Sequence, residues 1–151
     1  MLAFLRQHGF VRKGNAFIRE LEQVTHVIDT QSSTSTTRDR LNLTINTGVF
    51  SKRIGSLQQK PVHGISTPYC RWTKRIGEYL PQHDDKWWVV ESEDAAHIVS
   101  SEIIDHLSSF VLPELNRLTH TNDLRDLWES GRSPGLTSGQ RDKLQGLIQD
   151  L

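Results

Sequence analysis

The side chains best suited to chemistry in this chain are amides, arginines and a tryptophan on strand-like segments: Gln31, Asn46, Arg71, Arg75 and Trp88. An amide offers a donor and an acceptor to a peptide or another polar ligand. Arginine adds planar, two-pronged recognition of carboxylate or phosphate. Tryptophan adds a large contact surface. These are the means of a binding surface, not of a bond-breaking centre. The plainer reading is a solvent-facing sheet with structural hydrogen bonds.

Signals for catalysis and metal binding are weak. Seven histidines stand at 8, 26, 63, 83, 97, 106 and 120, and no pair has the His-x-x-x-His spacing of a helix-borne metal site. Asp94 with His97, and Asp105 with His106, read as a solvated helix side. Gly-x-Ser-x-Gly is absent, and Gly9 and Gly14 do not make a phosphate loop. Cys70 beside Arg71 is the one candidate nucleophile, and a free cysteine more often fills a core. A lone cysteine excludes an intrachain disulfide and a cysteine zinc cluster, and it fits a reducing, cytoplasmic setting. No cofactor is expected.

The 151 residues are enough for a single domain with a real core. Lys plus Arg equals Asp plus Glu at 18 each, so net charge gives no reason to expect nucleic acid or a membrane surface. No stretch approaches the roughly 20 apolar residues of a membrane span. Lys52, Arg53, Lys60, Arg71, Lys74 and Arg75 nevertheless make the middle locally basic, a candidate phosphate patch.

The elements that must position these residues follow from periodicity. Leu2–His8 reads as a short helix stopped at Gly9. Asn15–Glu22 and Val24–Gln31 read as strands, and Ser32–Thr37 as a mobile polar loop. In Leu41–Val49 the residues Leu41, Leu43, Ile45, Thr47 and Val49 alternate with Asn42, Thr44, Asn46 and Gly48, which predicts a half-buried strand. Ser51–Tyr69 shows no period and reads as an irregular excursion. Cys70–Leu80 fits a strand or a short helix. Trp87 and Trp88, adjacent in a strand, point to opposite faces, so one can sit in the core while the other looks outward or lies under a helix. Ser92 caps the strongest helix, whose apolar stripe is Ala96, Val99, Ile103, Leu107, Phe110 and Val111 and which Pro113 ends or kinks. Asn122–Glu129 and a last helix bearing Leu144, Leu147, Ile148 and Leu151 follow. A meander of strands followed by helices predicts α+β: four or five antiparallel strands packed by one long helix and shorter C-terminal helices.

Gly9-Phe10-Val11-Arg12-Lys13-Gly14-Asn15-Ala16-Phe17, then Val27–Ser33, Leu41–Val49, Cys70–Gly77 and Trp87-Trp88 occur in an order and spacing that resemble the bacterial domain-of-unknown-function family 4304. The resemblance covers about residues 9–110, leaving 111–151 as a helical extension. The chain departs from the family at its start, where about two turns precede Gly9 and the family offers a longer helix. The resemblance brings no activity. Small domains of this kind occur beside toxin systems, so it implies an immunity- or antitoxin-like role.

The expectation is a noncatalytic module that engages a protein partner through its polar sheet face and the Ser51–Tyr69 excursion. Nucleic-acid or phosphate binding through the basic middle is the alternative, and a hydrolase comes third.

Overall fold

Two long β-branched runs make the centre of the fold. In the computed structural model, Val24–Ser32 (β3) and Leu41–Ser51 (β4) pair antiparallel, from Val24 opposite Ser51 to Ser32 opposite Leu43. Their Val, Ile and Thr side chains are stiff at χ1 and pack well on a pleated surface. Val11–Lys13 (β1) and Ala16–Glu20 (β2) extend the sheet beyond β3. On the other side of β4, Trp72–Arg75 (β5) pairs with residues 46–49, and Trp88–Val90 (β6) with residues 41–43. The sheet is α+β in setting and has six strands, because β5 and β6 share one edge of β4 end to end. The structure describes residues 1–58 and 65–131, with Thr137, Gly139, Gln140, Asp142, Lys143 and Gly146 beyond them.

Strand alternation sorts the side chains. Phe17, Ile28, Ile45, Val49, Trp72 and Trp88 turn to one face. There they join Leu5 of Leu2–Gln7 (α1) and the apolar sides of the later helices in the main core. The opposite face is not simply solvated. Ala16, Val27 and Phe50 meet Ile65 and Cys70 there in a second apolar cluster. The expected half-buried strand is therefore covered on both sides: Thr44 and Gly48 on the second face are buried, as Ile45 and Val49 are on the first. Leu41, expected to point inward, is exposed at the strand's end.

That cover comes from the end of the segment read from sequence as irregular. The segment begins with a helix, Lys52–Leu57 (α2), whose N-cap Ser51 accepts from the Ile54 amide and whose Ile54 joins the main core. It returns through a 3₁₀ turn, Thr67–Tyr69. Gly48 permits the return, because a Cβ there would stand 2.6 Å from the Cys70 Sγ. The Ser/Thr tract before β4 is likewise folded: Thr36 Oγ1 accepts from the Asn42 amide, and Asn42 Nδ2 donates to the Ser35 carbonyl.

Cys70 is 7% exposed, and burial pushes its thiol up to about 12 despite Arg71 nearby. Only the thiolate attacks. A disulfide reagent at neutral pH should therefore label the native protein slowly and the urea-unfolded protein fast. Rapid labelling of the native protein would restore the nucleophile reading.

Glu93–His106 (α3) starts at Ser92, whose Oγ accepts from the Ala95 amide at 3.1 Å. Glu93 and Asp94 favour the positive end of its dipole. The apolar stripe holds only in part. Ile103, Leu107 and Val111 are buried, while Ala96 is exposed and Phe110 is 37% exposed. Pro113 supplies the reason. It lacks an N–H and crowds the carbonyl four residues back, and the chain takes a π-helical turn at Leu107–Val111 before Leu112–Leu115 (α4). The wider turn shifts the register, so Phe110 leaves the core side, Val111 stays in it and Leu112 enters it. In Thr121–Glu129 (α5), Asp123 Oδ2 accepts from the Thr119 and His120 amides, both at 2.7 Å, and Leu124 and Trp128 are buried. Leu144, Leu147, Ile148 and Leu151 lie outside the described residues. Thr137 Oγ1 accepts from the Gln140 amide, while Gln140 Oε1 accepts from the Thr137 amide.

One buried polar group ties the layers together. His26 is fully buried on β3, with Nε2 2.7 Å from the Leu118 carbonyl. Nε2 therefore carries the proton, and Nδ1 accepts from Arg19 Nε and Nη2 at 3.2 and 2.9 Å. Arg19 reaches on to Asn116 Oδ1 at 2.7 Å and the His8 carbonyl at 3.3 Å.

Candidate functional site

Pairing register builds the site. Asp29 stands opposite Asn46, and Asn46 opposite Arg75, so three strands place these residues in one row on one face. Gln31 follows Asp29 by two positions and shares that face. The second apolar cluster reaches this row only at Ala16, opposite Asp29, so the row is half-buried at Asn46 and Arg75 and Gln31 is open to solvent.

The Arg75 guanidinium organises the row. Nε donates to Asn46 Oδ1 at 3.2 Å and Nη2 to Gln31 Oε1 at 3.3 Å. Asn46 Nδ2 donates to the same Gln31 oxygen at 2.9 Å. Nη1 donates to both carboxylate oxygens of Asp85, at 2.9 and 3.0 Å. Trp87 Nε1 donates to Asp85 Oδ2 at 2.9 Å, and the Trp87 ring lies 5.6 Å from the guanidinium carbon. The indole and guanidinium hydrogen bonds hold the Asp85 carboxyl below its ordinary range. Next in the row, burial raises the Asp29 carboxyl, partly offset by the Thr67 hydroxyl at 3.2 Å.

The irregular connection between β5 and β6 supplies Asp85 and Trp87. It begins in a 3₁₀ turn, Ile76–Tyr79, where Glu78 Oε1 accepts from the Arg75 amide at 2.7 Å. It then folds back over Gly77, where a Cβ would stand 1.7 Å from the Asp84 carbonyl oxygen. Only glycine admits that approach. At its far end, Thr44 Oγ1 donates to the Lys86 carbonyl at 2.7 Å. A cleft of about 520 Å³ opens beside this connection, with Asn46, Thr73, Arg75, Glu78 and Asp84 among its lining.

Of the residues singled out from sequence, Gln31, Asn46 and Arg75 come together. Arg71 stands apart, its Nη2 donating to Gln58 Oε1. Trp88 is 3% exposed in the main core, and the half-buried ring beside Arg75 is Trp87. Trp87 precedes β6, so the strand's alternation places Trp88 inward with Leu43, its pairing partner. Sequence reasoning missed Asp85, Trp87 and Asp29. The polar run before the two tryptophans was the one local signal for the first two. The basic middle does not form one patch: Lys74 and Arg75 turn to opposite faces, and Lys74 pairs with Glu114 at 3.0 Å over the Tyr79 ring. Lys60 lies outside the described residues. Among the described residues, no group of three or more His, Cys, Asp or Glu is arranged to hold a metal ion. No described helix is long and apolar enough to cross a membrane.

No curated protein and no solved structure matches the chain. One family does, described as a domain of unknown function (DUF4304), over residues 2–117. That span is wider than the motifs suggested. It takes in α1, the whole sheet and α3–α4, and with them every residue of the Arg75 cluster. The chain therefore belongs to the DUF4304 family.

Proposed function

We propose that this protein is a noncatalytic binding module that engages a protein partner through the Arg75 cluster. One observation carries the reading. Residues from three strands and the β5–β6 connection converge on a half-exposed guanidinium, with two amides, a carboxylate and an indole ring around it and a cleft beside it. Arginine and tryptophan in such settings are frequent anchors of protein interfaces. The finer reading is an immunity- or antitoxin-like partner role in a bacterial cytoplasm. The lone buried Cys70 suits that compartment. The basic middle gives less support to nucleic-acid binding, since Lys74, Arg75 and Arg71 each face a different partner.

The test is a partner captured from source cells by cross-linking and then measured with purified components. Arg75→Ala should weaken binding by about 1.5 kcal/mol or more, near tenfold in Kd. Its melting temperature should change little, as befits a part-exposed ion pair. Asp105→Ala, on the exposed side of α3, should leave binding unchanged. Loss of binding at Asp105→Ala alone, or unfolding at Arg75→Ala, would move the search to the helices. A steep fall of affinity with salt for a nucleic-acid probe would favour the alternative.

A further inference from the structure

We propose that Asp85 is an internal stand-in for a carboxylate on the partner, and that the Leu80–Asp85 part of the connection is a strap which an acidic peptide segment displaces from Arg75, while Thr44 holds the Lys86 carbonyl and leaves Trp87 in place. The inference rests on the partner-binding reading of this cluster and adds to it a ligand class and a gating step.

The receptor and its present occupant differ in how they are held. Arg75 sits on a paired strand, and its Nε and Nη2 are fixed by Asn46 and Gln31, which belong to β4 and β3. Those contacts remain whether or not Asp85 is there. Asp85 is an exposed side chain on a connection with no strand pairing. It is nevertheless received by three hydrogen bonds from Arg75 Nη1 and Trp87 Nε1, the pattern that recognises a carboxylate. A site that already binds its own carboxylate is built for that chemical group.

The strap also has room to move. Clefts of about 520, 590 and 580 Å³ are all walled by it: His83 lines the first two, and Asp84 and Asp85 line the first and third. His83 holds a left-handed φ of 53°, rare for a residue with a Cβ. The exchange is one for one. Glu78, Asp84, Asp85, Lys74 and His83 line the cleft beside Arg75, and Lys74 is already paired with Glu114, so Asp85's departure frees the one guanidinium edge that a second carboxylate would take. Asp85 is tethered to its receptor, so it competes at a high effective concentration.

Asp85→Asn keeps the shape and removes the competitor. The probes are the acetylated, amidated tripeptides Gly-Asp-Gly and Gly-Asn-Gly, and inorganic phosphate, at constant ionic strength, followed by the Trp87 indole N–H resonance. In Asp85→Asn, Gly-Asp-Gly should move that resonance saturably and Gly-Asn-Gly should not. Wild type should need roughly tenfold more peptide, because its own carboxylate competes. At saturation the Gly77 amide should shift too, as the strap leaves its seat. Adding Arg75→Ala to Asp85→Asn should abolish the response. Equal peptide affinity in wild type and Asp85→Asn, no saturable shift, a response to phosphate alone, or an unmoved Gly77 amide would each overturn the proposal. Loss of partner at Arg75→Ala without any peptide response would remove this inference and leave the partner-binding reading. A peptide response with partner binding intact at Arg75→Ala would do the reverse.

Discussion

Trp88→Ala is expected to destabilise the fold by about 3–5 kcal/mol, the usual cost of emptying a large aromatic site in a core. Trp88 is 3% exposed and shares the main core with Leu43, Ile103 and Leu107. Its ring also meets the His106 ring at 6.1 Å and the Lys86 ammonium at 5.4 Å. It seats a three-residue strand that has little pairing of its own, so its loss should loosen β6 from α3 as well. Trp87→Ala is the matched control. It loses a hydrogen bond to an exposed carboxylate and a guanidinium contact, together about 1 kcal/mol or less. Urea melts at constant m-value measure both. Equal, large losses at the two positions would mean that Trp87 is also a core residue, and would remove it from the binding surface.

Acid should weaken the protein through His26. Burial lowers this imidazole from 6.5 to about 4, and the Arg19 charge pushes the same way against the Leu118 carbonyl. The neutral ring is the folded form: Nε2–H donates to Leu118, and Nδ1 accepts from Arg19. A proton on Nδ1 would leave two donors facing each other. Because the folded pKa is depressed, the unfolded chain binds the proton first. The stabilisation is whole above about 6.5 and falls as pH drops from there towards 4. The loss should reach about 2 kcal/mol by pH 5 and about 3 kcal/mol below pH 4. His26→Gln should be less stable than wild type at pH 7.5, and its stability should decline much less between pH 7 and pH 5. The difference between the two proteins isolates His26 from carboxylates that titrate lower, such as Asp85 and Glu102. Parallel pH slopes for the two proteins would show that His26 does not couple to folding in this way.

Local pattern determined a good deal about this protein. Alternation and β-branching in 24–32 and 41–51 specify strands whatever they pack against. Ser92 with two acidic residues after it specifies the start of α3. Cys70 at the head of an apolar segment reads as core, and the adjacency of Trp87 and Trp88 demands opposite faces. Gln31, Asn46 and Arg75 could be picked out as polar residues on strands, and the motif order pointed to the family. Tertiary structure alone decided what those elements meet. Whether β4 is half-buried depends on where the chain after it goes, and Ile65 and Cys70 cover its second face because Gly48 leaves space for Cys70. Which face of the 92–115 helix is apolar depends on the π turn at Leu107–Val111, just ahead of Pro113. The Arg75 cluster depends on register. A slip of one residue between β3 and β4 or between β4 and β5 would turn Asn46 or Arg75 to the other side. Its carboxylate, Asp85, comes from a connection with no period at all, so only the seating of Asp84 on Gly77 brings it to the arginine.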